Sequence, residues 1–229
     1  MIQPVLIAAG SEDLTLRDLD APVDLDALLP GTGPWEVEIG FGKGRYLLRR
    51  SRAEPEGRFL GIEVVSKYCR LLVDRGRRHG VENLVGIRGE AIYLMSAVLP
   101  RRFAQTVHVY FPDPWPKTRH HKRRLFDPER LDLLLDLLLP GGQLVFASDF
   151  LEYGGGVREL LHEHPALEVT EINEVWPDGA RTNYEAKYIE EGRPIIRLEA
   201  RLRPDAEPPF FHPRGAAGIL AATSVREED

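Results

Sequence analysis

The segment Phe111-Pro112-Asp113-Pro114-Trp115-Pro116-Lys117 sets one carboxylate between prolines and follows it with an indole ring. Prolines at alternate positions fix φ and exclude helix, so Asp113 and Trp115 stand on a stiff loop with little freedom left to lose. A fixed carboxylate of this kind suits a reaction in which positive charge develops beside it. A proline turn around a buried Trp accounts for the prolines and the indole, but not for the acid between them. The chain continues directly into Lys117-Thr118-Arg119-His120-His121-Lys122-Arg123-Arg124, with five formal positive charges and no acid. A flat aromatic, a carboxylate and a phosphate-binding strip on one segment fit a nucleotide base entering a site while its backbone is gripped outside. His120 and His121 have no cysteine or carboxylate at metal-site spacing, so no metal is expected there.

A second constellation is Glu38-Ile39-Gly40-Phe41-Gly42-Lys43-Gly44, which follows a strand pattern and opens a helical one. Glycines there permit a tight turn and close approach of backbone to a ligand. A dinucleotide fingerprint needs a small residue at 45, where Arg45 stands, which counts against NAD and an oxidoreductase. Glu38 repels phosphate and suits a cationic amino group, which favours S-adenosyl-L-methionine. Glu63 ends the next strand pattern, where a carboxylate can accept from both ribose hydroxyls. Glu90, after a third, can reach an adenine amino group or simply stand as a surface acid at a helix start.

The elements that must carry these groups are legible as alternating patterns. Strands are predicted at 35–39, 59–63, 84–88, 106–111 and 144–148, with amphipathic helices at 45–52, 66–79, 91–99 and 127–139 between them. A further helix near 157–164 and strands near 168–175 and 195–202 would complete seven strands. This order predicts an α/β fold: a mostly parallel sheet with helices on both faces and ligands beyond the carboxyl ends of the strands. The domain expected at 34–203 is preceded by an irregular lead over 1–33 and followed by an extension over 204–229.

Composition sets the outer limits. The chain has 229 residues, 43% hydrophobic and 29% charged, which excludes collagen-like and wholly disordered classes. The longest leucine run, 131–139, is interrupted by Asp132 and Asp136 and is too short to span a bilayer. Residues 1–9 lack a basic region, so no secretory signal is expected and the cytoplasm is the default. Cys69 is the only cysteine, which excludes an intrachain disulfide. The net charge is -6, and the five cations of 117–124 leave the rest at -11, so that strip is either a local anion-binding surface or a solvated loop.

Taken with Gly61-Ile62-Glu63-Val64, Ala147-Ser148-Asp149 and Thr182-Asn183-Tyr184-Glu185-x-Lys187, these motifs resemble the bacterial tRNA (guanine-N7-)-methyltransferase family from Trp35 to about Leu202. The glycine loop alone would mark only a class I methyltransferase, with its Rossmann-like sheet; the proline segment and its basic continuation are far more specific. The resemblance implies transfer of the S-adenosylmethionine methyl group to N7 of a guanosine at position 46, in the variable loop of tRNA. It implies that Glu38, Gly40, Gly42, Gly44, Glu63, Glu90 and Asp113 hold the donor. Lys117, Asp149, Thr182, Asn183, Tyr184 and Glu185 would face the substrate, and Arg119, His120, His121, Lys122, Arg123 and Arg124 would touch RNA. Residues 1–26 depart from the family, holding only Arg17 against Glu12, Asp13, Asp18, Asp20, Asp24 and Asp26 where basic residues are usual.

Guanine N7 has an in-plane lone pair and no proton, so its attack on a sulfonium methyl needs positioning rather than a general base. Asp113 is the first candidate to stabilise the cationic purine. Asp149 can accept guanine N1–H and the exocyclic amine, with Thr182 and Glu185 as alternatives. On local grounds Asp149 also reads as a helix N-cap and Thr182–Glu185 as a capping box. The competing readings are a class I methyltransferase acting on another RNA, a protein or a small molecule, and a non-catalytic tRNA-binding partner with the same fold.

Overall fold

The structure is a computed structural model describing residues 3–7 and 22–207. In chain order it contains β1 (Gln3–Ile7), α1 (Leu25–Leu28), β2 (Trp35–Ile39), α2 (Arg45–Ala53), β3 (Arg58–Glu63), α3 (Ser66–Arg78), β4 (Leu84–Arg88) and α4 (Ala91–Tyr93), the last continuing as a π-helical turn over Leu94–Val98. There follow β5 (Ala104–Tyr110), a 3-10 helix over Thr118–Arg123, α5 (Pro128–Asp136), β6 (Leu138–Ser148), α6 (Leu151–Glu163), β7 (Leu167–Glu171), α7 (Asn183–Glu190) and β8 (Ile196–Leu202).

All strands of the described residues join one sheet in the order β1-β4-β3-β2-β5-β6-β8-β7. The central pairs are parallel, whereas β8 runs antiparallel to both β6 and β7. The seven expected strands are present, and an eighth joins them: β1 pairs antiparallel with the outer edge of β4, inside the stretch read as an irregular lead. Its existence depends on the free edge of β4, which no local pattern in residues 3–7 announces. Among the other differences, the helix expected over 127–139 stops at Asp136, and β6 begins at Leu138, ahead of the expected 144. Asp127 caps α5 by accepting from Arg130 N, with Pro128 in the first turn.

Because β2 lies between β3 and β5, the chain leaves β2 and β5 toward opposite sides, which opens a crevice over their carboxyl ends. The glycine loop and the proline segment both start there. Side chains alternate across the sheet, so Trp35, Val37 and Ile39 join the main apolar core. Glu36 and Glu38 therefore share the opposite face of β2. On β5 the partners of Glu36 and Glu38 are Thr106 and His108, with Tyr110 two residues further on. One face of the sheet centre is thus polar, and α2 supplies Tyr46 to it.

Candidate active site

Two clefts open at the carboxyl ends of β2 and β5. The first, about 340 Å3, is lined by Glu38, Gly40, Gly42, Tyr46, Thr182 and Asn183 among others. Its size falls in the range of small-molecule sites. The second, about 260 Å3, is lined by Asp113, Pro114, Ser148, Asp149, Phe150 and Tyr188. Phe111 and Tyr184 wall both clefts, so the two spaces adjoin across an aromatic pair.

The first cleft fits the expected donor. Glu38 is 2% exposed, and its Oε2 has no hydrogen-bond partner among the described residues. Burial, with Glu63 adding to it, pushes its carboxyl from the usual 4.5 to about 8, despite a hydrogen bond from the Leu47 backbone. An orphaned carboxylate oxygen facing a cleft is complementary to an ammonium group. Gly42 has φ +52, and a Cβ there would enter open space, so the backbone is bare where a ligand approaches. Gly44 does something different: it caps α2 at φ +67, and a Cβ would come 2.4 Å from Leu72 Cδ1, so it serves helix packing.

Glu63 and Glu90, expected on the donor side, are occupied by backbone. Glu63 accepts from Gly42 N and Val65 N, both at 2.9 Å, and so ties the glycine loop to the turn after β3. Glu90 caps α4 by accepting from Tyr93 N at 2.9 Å. Asp113, expected both as donor-binding and as catalytic, lies in the second cleft on the exposed crest of its loop. That loop is bracketed by two residues in the left-handed region, Phe111 at φ 51 and Trp115 at φ 41. Non-glycine residues there carry strain of about 1–3 kcal/mol each and persist where the surroundings over-determine them. Phe111 N donates to Ala147 O at 2.7 Å, which anchors the loop to the end of β6.

The residues expected to face the substrate divide. Asp149 lies in the second cleft, 3.5 Å from Arg193, whose guanidinium covers the Tyr188 ring. It is not the cap of α6, a position held by Phe150. Thr182 and Asn183 line the donor cleft, and Thr182 caps α7 by accepting from Glu185 N. Glu185 faces no cleft: it is fully buried, accepting from Arg197 Nε at 2.7 Å and from Arg181 N at 2.8 Å. The capping-box reading is half met: Thr182 accepts from Glu185 N, but the return bond to Glu185 comes from Arg181 N, one residue before the cap. Lys117 is exposed at the entry to the 3-10 helix, outside both clefts. Of the basic strip, Arg119, Lys122 and Arg123 are exposed, whereas Arg124 is turned inward.

A buried polar network beneath the clefts escaped the sequence reading. His108 lies 2.9 Å from the Tyr110 hydroxyl through Nδ1, and 3.2 Å from the Tyr46 hydroxyl and 3.4 Å from Glu36 through Nε2. Arg181 donates to the Tyr110 hydroxyl at 2.8 Å and stacks 4.0 Å over Trp176. Burial pushes the His108 imidazole down, against the pull of Glu36. Burial acts to raise Glu36, but hydrogen bonds from His108 and Arg50 outweigh it and hold its carboxyl at about 2. The network joins the wall of the donor cleft at Tyr46 and Tyr110 to the residue preceding Thr182. Its one local signal was period-2 polarity in Glu36-Val37-Glu38 and Thr106-Val107-His108, unusual for central parallel strands.

A family model described as "Putative methyltransferase" matches residues 32–198. Over 190 residues the chain is 36% identical to the tRNA (guanine-N(7)-)-methyltransferase of Halorhodospira halophila, covering 80% of this chain and 81% of that one. Over 179 residues it is 38% identical to the protein of the same name from Roseobacter denitrificans, covering 75% of each. Among solved structures, the 16S rRNA methyltransferase KamB superposes with a TM-score of 0.60 at 13% identity, over 87% of this chain and 100% of that one. A SAM-dependent methyltransferase from Aquifex aeolicus gives 0.52 at 14%, over 78% of this chain and 87% of that one. These likenesses establish the class I methyltransferase fold.

Proposed function

The chain belongs to the tRNA (guanine-N7-)-methyltransferase family, and from that premise we propose that it methylates N7 of a guanosine in tRNA, at position 46 of the variable loop. The observation that carries the assignment of roles is the meeting of two clefts at Phe111 and Tyr184, one facing the unpaired Glu38 carboxylate and the other the Asp113 and Asp149 carboxylates.

When bound in the first cleft, S-adenosylmethionine supplies an electrophilic methyl group on a sulfonium. Glu38 would take the α-ammonium group of the donor, and the bare backbone at Gly40 and Gly42 leaves room for it in the same cleft. Phe111 and Tyr184 wall both clefts, so the methyl carbon and N7 would meet in the opening beside them.

In the second cleft Tyr184 offers a face for the guanine ring. Tyr184 is 58% exposed and its ring is backed by Tyr188 at 6.1 Å, and Phe111 contacts Tyr188 edge-on at 5.6 Å. Asp149, steadied by Arg193, accepts guanine N1–H and the exocyclic amine, a pattern adenine cannot match. The N7 lone pair would form the new bond to the methyl carbon as the carbon–sulfur bond breaks, its electron pair staying on sulfur so that S-adenosylhomocysteine leaves, and no proton moves at that step. The purine gains positive charge as the bond forms, so the Asp113 carboxylate is worth more in the transition state than before it. Lys117, Arg119 and Lys122 present charge to phosphates outside.

The test is product analysis: the protein, labelled S-adenosylmethionine and unmodified tRNA are incubated, and the tRNA is digested to nucleosides. Label in 7-methylguanosine supports the proposal; label in another nucleoside, or none, contradicts it.

A further inference from the structure

Arg124 closes the basic strip, yet its guanidinium is committed to the protein. The side chain is 12% exposed. Its Nε donates to Pro114 O at 2.8 Å, and its two terminal nitrogens donate to the two oxygens of Glu152 at 3.0 and 2.8 Å. The planar face lies 4.9 Å over the buried Tyr153 ring. The hydrogen bonds from Arg124 hold the Glu152 carboxyl below its usual range. The Arg124 carbonyl in turn accepts from Arg130, which also donates to Lys122 O. A guanidinium with both edges engaged and one face covered has little left to give a phosphate.

What Arg124 grips is the Asp113 loop at its strained end. Pro114 O belongs to the peptide joining Pro114 to Trp115, one residue from Asp113 and next to the left-handed Trp115. The Trp115 ring is held from the same helix, edge-on by His120 at 5.8 Å and beneath Arg123 at 5.0 Å. The other end is pinned by the Phe111 N–H to Ala147 O bond. Prolines remove the amide hydrogens at 112, 114 and 116, so the loop has few backbone donors of its own and depends on bonds to its carbonyls.

We propose that Arg124 is a positioning residue for the Asp113 carboxylate and not an RNA contact, with Glu152 and Tyr153 fixing it in place. The basic strip is therefore divided: Lys117, Arg119 and Lys122 face outward, while Arg124 is the strut that keeps the strained loop in its working shape. The inference rests on the proposed role of Asp113, because it assigns Arg124 to the geometry of that carboxylate.

Charge-conserving substitution separates the two roles. In Arg124→Lys the positive charge remains but the fork that spans Pro114 O and Glu152 is lost. The strut reading expects kcat for tRNA methylation to fall about 10- to 100-fold, the effect of a misplacement near 1 Å. Donor affinity, tRNA affinity and the salt dependence of tRNA binding should stay as in the unsubstituted protein. Lys122→Ala should behave oppositely, weakening tRNA binding and lowering its salt slope by about one. Should Arg124→Lys fold poorly, Glu152→Ala frees the same guanidinium from a carboxylate that is itself 60% exposed. It should also lower kcat, whereas an RNA-contact role would leave kcat intact and tighten tRNA binding by removing an acid. Normal kcat in a folded Arg124 or Glu152 variant overturns the proposal.

Hydrogen exchange over residues 111–118 gives a readout that needs no turnover. Both variants should exchange faster there, and unchanged protection overturns the strut. If the unsubstituted protein fails to methylate tRNA, the functional proposal falls while the exchange result still decides the strut.

Discussion

Glu38 and Glu63 are buried carboxylates on adjacent parallel strands, and only Glu63 has both oxygens satisfied by backbone N–H groups. The difference separates their roles. Glu63 holds the glycine loop in shape; Glu38 is left with an unanswered oxygen facing the donor cleft, a stability cost that a cationic ligand relieves.

This relationship fixes a pH dependence. With the Glu38 carboxyl raised to about 8, the folded protein holds a proton that the unfolded chain releases near 4.5. Its contribution to stability is full below 4.5 and is lost as pH rises through 8. Glu38→Gln should match the unsubstituted protein in melting temperature at acid pH and exceed it above pH 8. Affinity for S-adenosylmethionine should rise toward pH 8, by at most about tenfold per unit, with proton release on binding. The Gln variant should bind weakly at every pH. Calorimetry in buffers of differing ionisation enthalpy measures both, and a donor affinity that is flat with pH would remove Glu38 from the ammonium site.

Asp113 is proposed to stabilise charge on the base. Asp113→Asn keeps the size and the loop but removes the charge, so single-turnover methyl transfer should slow by about 10²- to 10³-fold. Binding of tRNA should be unchanged in a filter assay. A normal rate at saturating tRNA would sink this role.

Tyr184 is the proposed platform for guanine. Stacking of a base on an aromatic ring contributes about 1–3 kcal/mol, so Tyr184→Ala should raise KM for tRNA by about 5- to 150-fold. Tyr184→Phe keeps the face and should stay close to the unsubstituted enzyme. Equal losses in the two variants would point to the hydroxyl instead of the ring.

Glu185 is expected to behave as a structural residue. Its pair with Arg197 is buried on both sides, so Glu185→Ala leaves a buried cation alone and should cost about 3–5 kcal/mol in chemical denaturation. Full stability with lost activity would return Glu185 to the substrate.

Much of this arrangement was legible because it is local in sequence. The glycine loop at 40–44 and the proline segment at 111–117 each lie between one strand and one helix, so pattern and spacing placed them at strand ends. The family motif at 182–185 was legible as a run of residue types, but its division was not. Whether Thr182 faces a cleft and Glu185 the core depends on the helical register of α7 and on Arg197, twelve residues away on β8. The Tyr46, His108, Tyr110 and Arg181 network draws on segments up to 135 residues apart, and no local signal joins them. The same holds for Arg124, which reads as one more cation in a basic run until Pro114 O and Glu152 are seen around it.

The central claim is methyl transfer to N7 of one guanosine, and a single atom tests it. An unmodified tRNA transcript and the same transcript with 7-deazaguanosine at position 46 of the variable loop are each offered labelled S-adenosylmethionine. The account predicts label in the first and none in the second, with equal binding of both. Equal labelling of both transcripts would contradict it.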